Sequence, residues 1–421
     1  MSMGTTPDTV LGQSSSLSNW RKIESSFVAG WRDMQLNPWP LGFKDFFAAM
    51  PSTDLIKKRD SILSYYDKLS QGIKRTDLPL DQQIHFNHLL YLLDFYKSLL
   101  SLSKTFHANG DNSRVPESEV IYDMPNGKKW YELFVRKYTS VHITPDSVFN
   151  YGFKESEILL DKLKKIPPLT DSHEWLSDTA EIHTHYKKIA IKAKENLANF
   201  FPIEKLKGHP VGFRPILPSS SNTPPAYYSG IELPFLNYNY FNQQHDVSDA
   251  GWLYLHEAVP GHHLQAVSLL NSLSQPFFNT IVQYEYNGLF EGWACYIEQY
   301  GYQAGIYQNR KSEYAYLRWN LIRSMRLCID VGINYYGWPT DKAMALWNTF
   351  LPNEPELMER EINRCKRWPA QALSYKIGAA AMLSLKHAYL EKNKKSTQKD
   401  FHIWVLNKGM IPIQVLVQEL D

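Results

Sequence analysis

Residues 256–263 hold three imidazoles, a carboxylate and a proline-glycine pair: His256, Glu257, Pro260, Gly261, His262 and His263. Neutral ring nitrogens beside a carboxylate suit a zinc hydrolase, the nitrogens to hold the ion and the carboxylate to take a proton from its water. The spacing departs from His-Glu-x-x-His, in which the second ligand follows four residues on, about 40° around the helix. His262 is six residues on, roughly 120° off that face, and His263 returns to the face about 10 Å further along it. Neither can chelate with His256 on a straight helix. Pro260 removes a ladder hydrogen bond and Gly261 tolerates the dihedrals that result, so the pair predicts a bulge that swings His262 back toward His256. Neighbouring histidines in a helix are more often packing or surface residues. The His-Glu start, the forced break and a fitting carboxylate downstream favour the metal here.

That carboxylate is Glu291, 35 positions after His256, in a helix expected over Asn279–Gln303. The interval allows a helix, a turn and a return, and a glutamate on the returning helix completes a three-ligand site with one position open. Phe290 and Trp293 beside it predict a buried setting in which a lone carboxylate would be costly. Gly292 would let two helices approach closely, and Glu298, about two turns on, is placed to hydrogen-bond a ligand rather than the ion. Glu285 points elsewhere, and His183 and His185 lie on opposite sides of a helix.

Composition sets the remaining limits. The chain has 421 residues, 43% hydrophobic and 21% charged, with a formal net charge of +2. It can bury a large core, and its charge gives no footprint for nucleic acid or an anionic membrane. Its 12 Trp, 26 Tyr and 20 Phe suit a large core and an aromatic-lined cleft. Met1–Ser18 is polar, without the charge and apolar run of a leader, and no stretch is apolar enough to span a bilayer. Cys295, Cys328 and Cys365 form no paired motif, so a disulfide framework and a thiolate zinc site are not expected and a cytoplasmic location is.

Periodicity predicts a mainly α fold. Residues 1–18 are expected to be disordered, 19–207 helical, and 208–421 the catalytic region, joined around one cleft. Residues 54–69 and 78–102 carry amphipathic patterns, a loop is expected over 107–116, and Thr144-Pro145-Asp146 is a helix start. Six prolines and a run of serines in Gly208–Asp249 predict loops and short strands just before the zinc helix. Such a segment could supply an edge on which a peptide adds as a strand.

The motifs His256-Glu257-x-x-Pro260-Gly261-His262, Glu291-Gly292-Trp293-Ala294 and Trp368-Pro369-x-Gln371-Ala372-x-x-Tyr375-Lys376-x-Gly378 resemble those of the bacterial domain of unknown function 885 family, which is related to zinc metallopeptidases whose third ligand is glutamate. The resemblance implies a large helical metallopeptidase-like fold, His256, His262 and Glu291 as ligands of one zinc ion, and Glu257 as general base. It leaves His263 outside the strict motif, as a substrate-facing or ligand-supporting residue. The family carries a histidine where this chain has Asn334 and a tyrosine where it has Cys365, so an imidazole that could polarise a substrate carbonyl is replaced by an amide.

The reading favoured is hydrolysis of a peptide or small amide-containing substrate by zinc-activated water. Tyr375 or Arg326 would help to hold the oxyanion. His263, Asn334, Arg364, Gln371 and Lys376 would face substrate, and Glu298 would support a ligand. Two alternatives stand beside it: a metal-dependent tailoring enzyme acting on a non-peptide small molecule, and a non-catalytic protein that keeps the fold. An intact Glu257 speaks against the last. The oligomeric state is open.

Overall fold

A computed structural model describes residues 7–34, 36, 42–108, 118–169, 171–220, 222–272, 286–352 and 354–420. In chain order the helices are α1 (Pro7–Asp33), α2 (Phe43–Ala48), α3 (Thr53–Ser70), α4 (Leu80–Ala108), α5 (Gly127–Thr139), α6 (Pro145–Lys165), α7 (Thr179–Leu197), α8 (Ala250–Leu253) and α9 (His262–Ser272). They continue with α10 (Asn287–Glu298), α11 (Arg310–Asn334), α12 (Thr340–Phe350), α13 (Pro355–Arg367), α14 (Leu373–Lys392), α15 (Gln398–Asn407) and α16 (Ile413–Leu420). The short strands are β1 (Trp175–Leu176), β2 (Gly212–Pro215), β3 (Ala226–Tyr228), β4 (Phe235–Tyr238) and β5 (His245–Asp246). The fold is therefore mainly α, as the periodicity predicts. Of the expected disordered start, residues 1–6 lie outside the described residues, as does most of the 107–116 loop, and α1 begins at Pro7.

Local chemistry accounts for several helix starts. Thr144 caps α6 by accepting from Ser147 N, with Pro145 in the first turn, as its sequence predicts. Ser52 caps α3 by accepting from Leu55 N, and Thr397 with Asp400 closes a reciprocal box at α15. The buried side chains form one contiguous apolar core running from Trp20 in α1 to Leu416 in α16. The N-terminal helices and the site-bearing region thus share a core. No described helix is long and apolar enough to cross a membrane.

Two helix crossings fix the site. Along α11 nearly every residue from Leu321 to Asn334 is buried, and α6 lies against it at Gly152, where an added Cβ would fall 2.6 Å from Leu327 Cβ. The second crossing, of α10 on α14, is closer. A Cβ on Gly292 would sit 2.5 Å from Gly378 C, and one on Gly378 would sit 2.1 Å from Gly288 O. Side chains would hold these backbones apart, and Glu291 rides on the helix they bring in. Gly378→Ala is expected to lower unfolding free energy by about 3 kcal/mol, the upper part of the overpacking range, because the obstacle is backbone that cannot rotate away. Denaturant unfolding checks this, and a wild-type midpoint would show that the crossing is looser.

The Pro-rich segment builds a small sheet in the order β2-β4-β3, with β2 parallel and β3 antiparallel to β4. β3 is an edge strand, in the register Ala226↔Tyr238, Tyr227↔Asn237 and Tyr228↔Leu236. Asn239 N donates to Pro225 O and Ser229 N to Phe235 O. Alternation along the ladder therefore turns the main-chain groups of Tyr227 toward β4 and those of Ala226 and Tyr228 away from it.

Candidate metal centre

The first helix of the site does not run straight into the second. After α8 the chain widens into a π-helical turn over Tyr254–Ala258, and Val259 leaves helical geometry at φ −126°, ψ 123°. Pro260 and Gly261 turn it, and α9 restarts at His262. Gly261 is obligatory there, since a Cβ would fall 1.9 Å from His256 O and 2.3 Å from Leu255 O. The expected bulge is present, begun earlier than Pro260 by the extra residue of the π turn. It brings the rings of His256 and His262 to a centroid separation of 4.9 Å, with planes at 86°.

Glu291 of α10 completes the group. Its Oε2 lies 3.4 Å from His256 Nε2 and 3.5 Å from His262 Nε2. These separations are too long for strong hydrogen bonds, but they match the edge of a tetrahedron whose ligand bonds are about 2.0–2.2 Å, roughly 3.3–3.6 Å. The donor set of two imidazoles and a carboxylate fits zinc. Glu257 adjoins it, with His256, Glu257 and His262 each offering a ligand atom within 4.8 Å of the others. Glu291 is the better third ligand, being almost equidistant from both nitrogens. Glu257 is buried but lines the cavity, and no described side chain pairs with it.

Each of these three side chains is held from behind. His256 Nδ1 lies 2.7 Å from Glu298 Oε1, which leaves Nε2 for an ion, and Arg323 Nη1 donates to both oxygens of Glu298 at 2.8 and 2.7 Å. Phe290 stacks on His262 at a centroid distance of 3.9 Å, and Tyr375 donates to Glu291 Oε1 at 3.2 Å. Burial alone would lower the pKa of His256, but Cys295, Glu291 and Glu298 outweigh it and raise it well above the ordinary imidazole value. Burial likewise works against ionisation of Glu291, yet His256 and His262 hold it far below the usual carboxylate range. The cluster thus favours a positive charge at its centre, whether proton or metal. His256, Cys295 and Glu298 form a second close group. Arg323 already neutralises that carboxylate, which makes it the poorer metal site.

Glu298→Gln is expected to weaken zinc binding about 10- to 100-fold, through loss of the charge that orients His256. It also leaves Arg323 without its anion, at a cost of roughly 3–5 kcal/mol of stability. Chelator competition measures the first effect and denaturant unfolding the second. Wild-type zinc affinity in this variant would make Glu298 a partner of Arg323 alone.

The site opens into a cavity of about 280 Å³, near the small end of ligand pockets, which run from about 300 to 1,000 Å³. β3 and Trp252, Trp319, Arg326, Arg364 and Tyr375 form much of its wall. Arg326 is tied through Nε to Glu361 Oε2 at 2.6 Å, and Gln371 supports Arg364 by accepting from its Nη2 at 2.6 Å.

Besides Gln371, which stands behind Arg364, three expected substrate contacts lie elsewhere. Asn334 is fully buried, and its Nδ2 donates to Cys365 O at 3.0 Å and Asp330 Oδ1 at 3.3 Å. Asp330, which burial pushes up to about 7, also accepts from Tyr131 and from the amide of Ala370, a residue at φ 63°. Asn334 and Cys365 therefore brace the turn before α14, and neither lines the cavity. Lys376 turns to Glu155 Oε2 at 3.0 Å and Asn320 Oδ1 at 2.8 Å. His263 joins His209 O at 2.8 Å to Tyr228 Oη at 2.9 Å, so it anchors β3 rather than facing substrate. Arg323, Glu361 and the stacking of Phe290 on His262 join the site without a motif that assigns them. Only Phe290, next to Glu291, carried a local signal.

Two solved structures share the fold. A "putative lipoprotein" from Colwellia psychrerythraea matches with a TM-score of 0.63 and 22% identity over 90% of this chain, which spans 66% of that protein. A "putative lipoprotein of unknown function" from Shewanella oneidensis matches with a TM-score of 0.57 and 16% identity over 99% of this chain and 93% of its own. No curated protein sequence matches. The family model for bacterial proteins of unknown function, DUF885, matches residues 92–420, and the chain belongs to that family.

Proposed function

We propose that this chain is a zinc-dependent hydrolase of a peptide or small amide bond, related in its chemistry to metallopeptidases with a glutamate third ligand. The observation that carries this reading is the placing of Glu291 Oε2 3.4 Å from His256 Nε2 and 3.5 Å from His262 Nε2, with the carboxylate of Glu257 alongside and no side chain paired with it among the described residues. Bound by those three groups, zinc would supply Lewis acidity, polarising a carbonyl oxygen and acidifying a water. Glu257 takes the proton of the attacking water and returns it to the leaving nitrogen. Glu298 and Arg323 keep His256 in one orientation and Tyr375 keeps Glu291 in one, so little reorganisation is needed as charge develops. Arg326, fixed through Nε to Glu361, lines the cavity and would turn its remaining N–H groups toward a developing oxyanion.

The edge of β3 supports a peptide over other amides. Its residues line the cavity, and the outward main-chain groups of Ala226 and Tyr228 offer donors and acceptors to an extended substrate. Purified protein assayed for zinc and incubated with mixed peptides, with cleavage read by mass spectrometry, tests the reading. About one zinc per chain and cleavage that a chelator abolishes and zinc restores are expected. A chain that takes up no zinc, or a zinc-loaded chain that leaves all peptides intact, would overturn it.

A further inference from the structure

We propose that Arg364 is the anchor for a substrate carboxylate, and that this carboxylate is the free C-terminus of a peptide, so that the site removes C-terminal residues. The proposal rests on the hydrolase reading above and adds the substrate class.

Three guanidinium groups line the cavity, those of Arg323, Arg326 and Arg364. Two are neutralised within the protein. Arg323 makes two short bonds to Glu298, and Arg326 bonds to Glu361, whose pKa is held at about 2 by Arg326 in contact and by Arg364 and Arg360 at longer range. Arg364 differs. Among the described residues no carboxylate lies within ion-pair distance of it, and its polar contacts are two neutral groups, Gln371 Oε1 at 2.6 Å and Tyr375 Oη at 3.5 Å. Both use Nη2, and Nε is buried without an acceptor. The head lies against the rings of Trp368, at 5.6 Å, and Tyr375, at 5.7 Å.

A half-buried guanidinium, oriented by an amide and two aromatic rings and with no carboxylate in contact among the described residues, is free to pair with an anion that arrives with the ligand. The planar fork suits a carboxylate, which takes two parallel N–H groups at once. Position gives the second half of the argument. The hydroxyl of Tyr375 touches Arg364 on one side and Glu291 on the other, at 3.5 and 3.2 Å, so a single oxygen separates the guanidinium from the Glu291 carboxylate. A substrate carboxylate held by Arg364 therefore lies close to the bond being broken. A C-terminal residue has that geometry, its carboxylate following the scissile carbonyl by one residue, about 3.8 Å between successive Cα atoms. An aspartate or glutamate side chain offers the same chemistry, and the test separates the two sources.

The full chain, with its metal, is titrated by calorimetry with acetyl-Ala-Phe as the free acid, with its carboxamide, and with acetyl-Ala-Glu carboxamide. Cleavage of each is followed in parallel. The free acid is expected to bind about ten- to a hundredfold more tightly than either amide, the worth of charge-assisted hydrogen bonds. Arg364→Ala should erase that difference, and Arg364→Lys, which keeps the charge but not the fork, should restore only part of it. Melting curves establish that the variants are folded, and the lysine variant carries the test if the alanine variant is not. Equal binding of acid and amide, a preference that survives Arg364→Ala, or tighter binding of the glutamate amide than of the free acid would overturn the proposal. The hydrolase reading fails separately. A free acid bound through Arg364 but never cleaved removes hydrolysis and keeps the anchor, whereas equal cleavage of acid and amide keeps hydrolysis and removes the anchor.

Discussion

Glu257→Gln is expected to keep about one zinc per chain while losing roughly 10²- to 10⁴-fold in kcat, the usual worth of a positioned acid-base group. The substitution is nearly isosteric, so the buried π turn that carries residue 257 need not move. What disappears is the capacity to accept a proton. Glu257 makes no ion pair or side-chain hydrogen bond among the described residues, so no structural partner is orphaned by the change. That separates it from Glu298, whose loss strands Arg323. The same variant also decides between the two carboxylates beside the imidazoles. If Glu291 is the ligand and Glu257 the base, Glu257→Gln holds zinc and Glu291→Gln releases it; the opposite outcome in elemental analysis would exchange their roles. Turnover at the wild-type rate by Glu257→Gln would remove the proton-transfer step altogether.

What the sequence disclosed and what it hid divide along physical lines. The helical class, the capped start at Thr144, the break around Pro260 and the close approach at Gly292 are all local: a few adjacent residues restrict the backbone strongly enough to be read without the fold. His256, His262 and Glu291 were legible because the two histidines share one distorted segment and the glutamate sits in a short, distinctive motif. The Arg323 contact to Glu298 spans 25 positions and the Arg326 contact to Glu361 spans 35. Neither pairing has a spacing rule, because it depends on how α11 packs against α10 and α13. Asn334 and Lys376 mislead for a related reason. Each lies in or near a motif that belongs to the site, but helical rotation carries it away from the cavity, Asn334 to the carbonyl of Cys365 and Lys376 to Glu155. A motif identifies which segment is at the site, and packing decides which of its side chains face inward.

His262→Ala gives the largest effect expected on the metal. Removing one of three protein ligands should reduce zinc from about one per chain to a small fraction at micromolar protein. Loss of metal alone does not show that His262 was a ligand, since a misfolded site would also be empty, and thermal unfolding separates the cases. An ion present at a thousand times its dissociation constant stabilises the folded chain by about 4 kcal/mol, so a chelator should lower the melting temperature of the wild type. If His262 belongs to the site, the variant should melt near the chelated wild type and respond to chelator no further. The stacked Phe290 and the nearby Gln265 lose a neighbour, which adds a packing cost of about 1 kcal/mol, unaffected by chelator. A chelator response as large in His262→Ala as in the wild type would place the ion elsewhere and leave the crossed imidazoles, the π turn and the tetrahedral spacing to Glu291 without a common purpose.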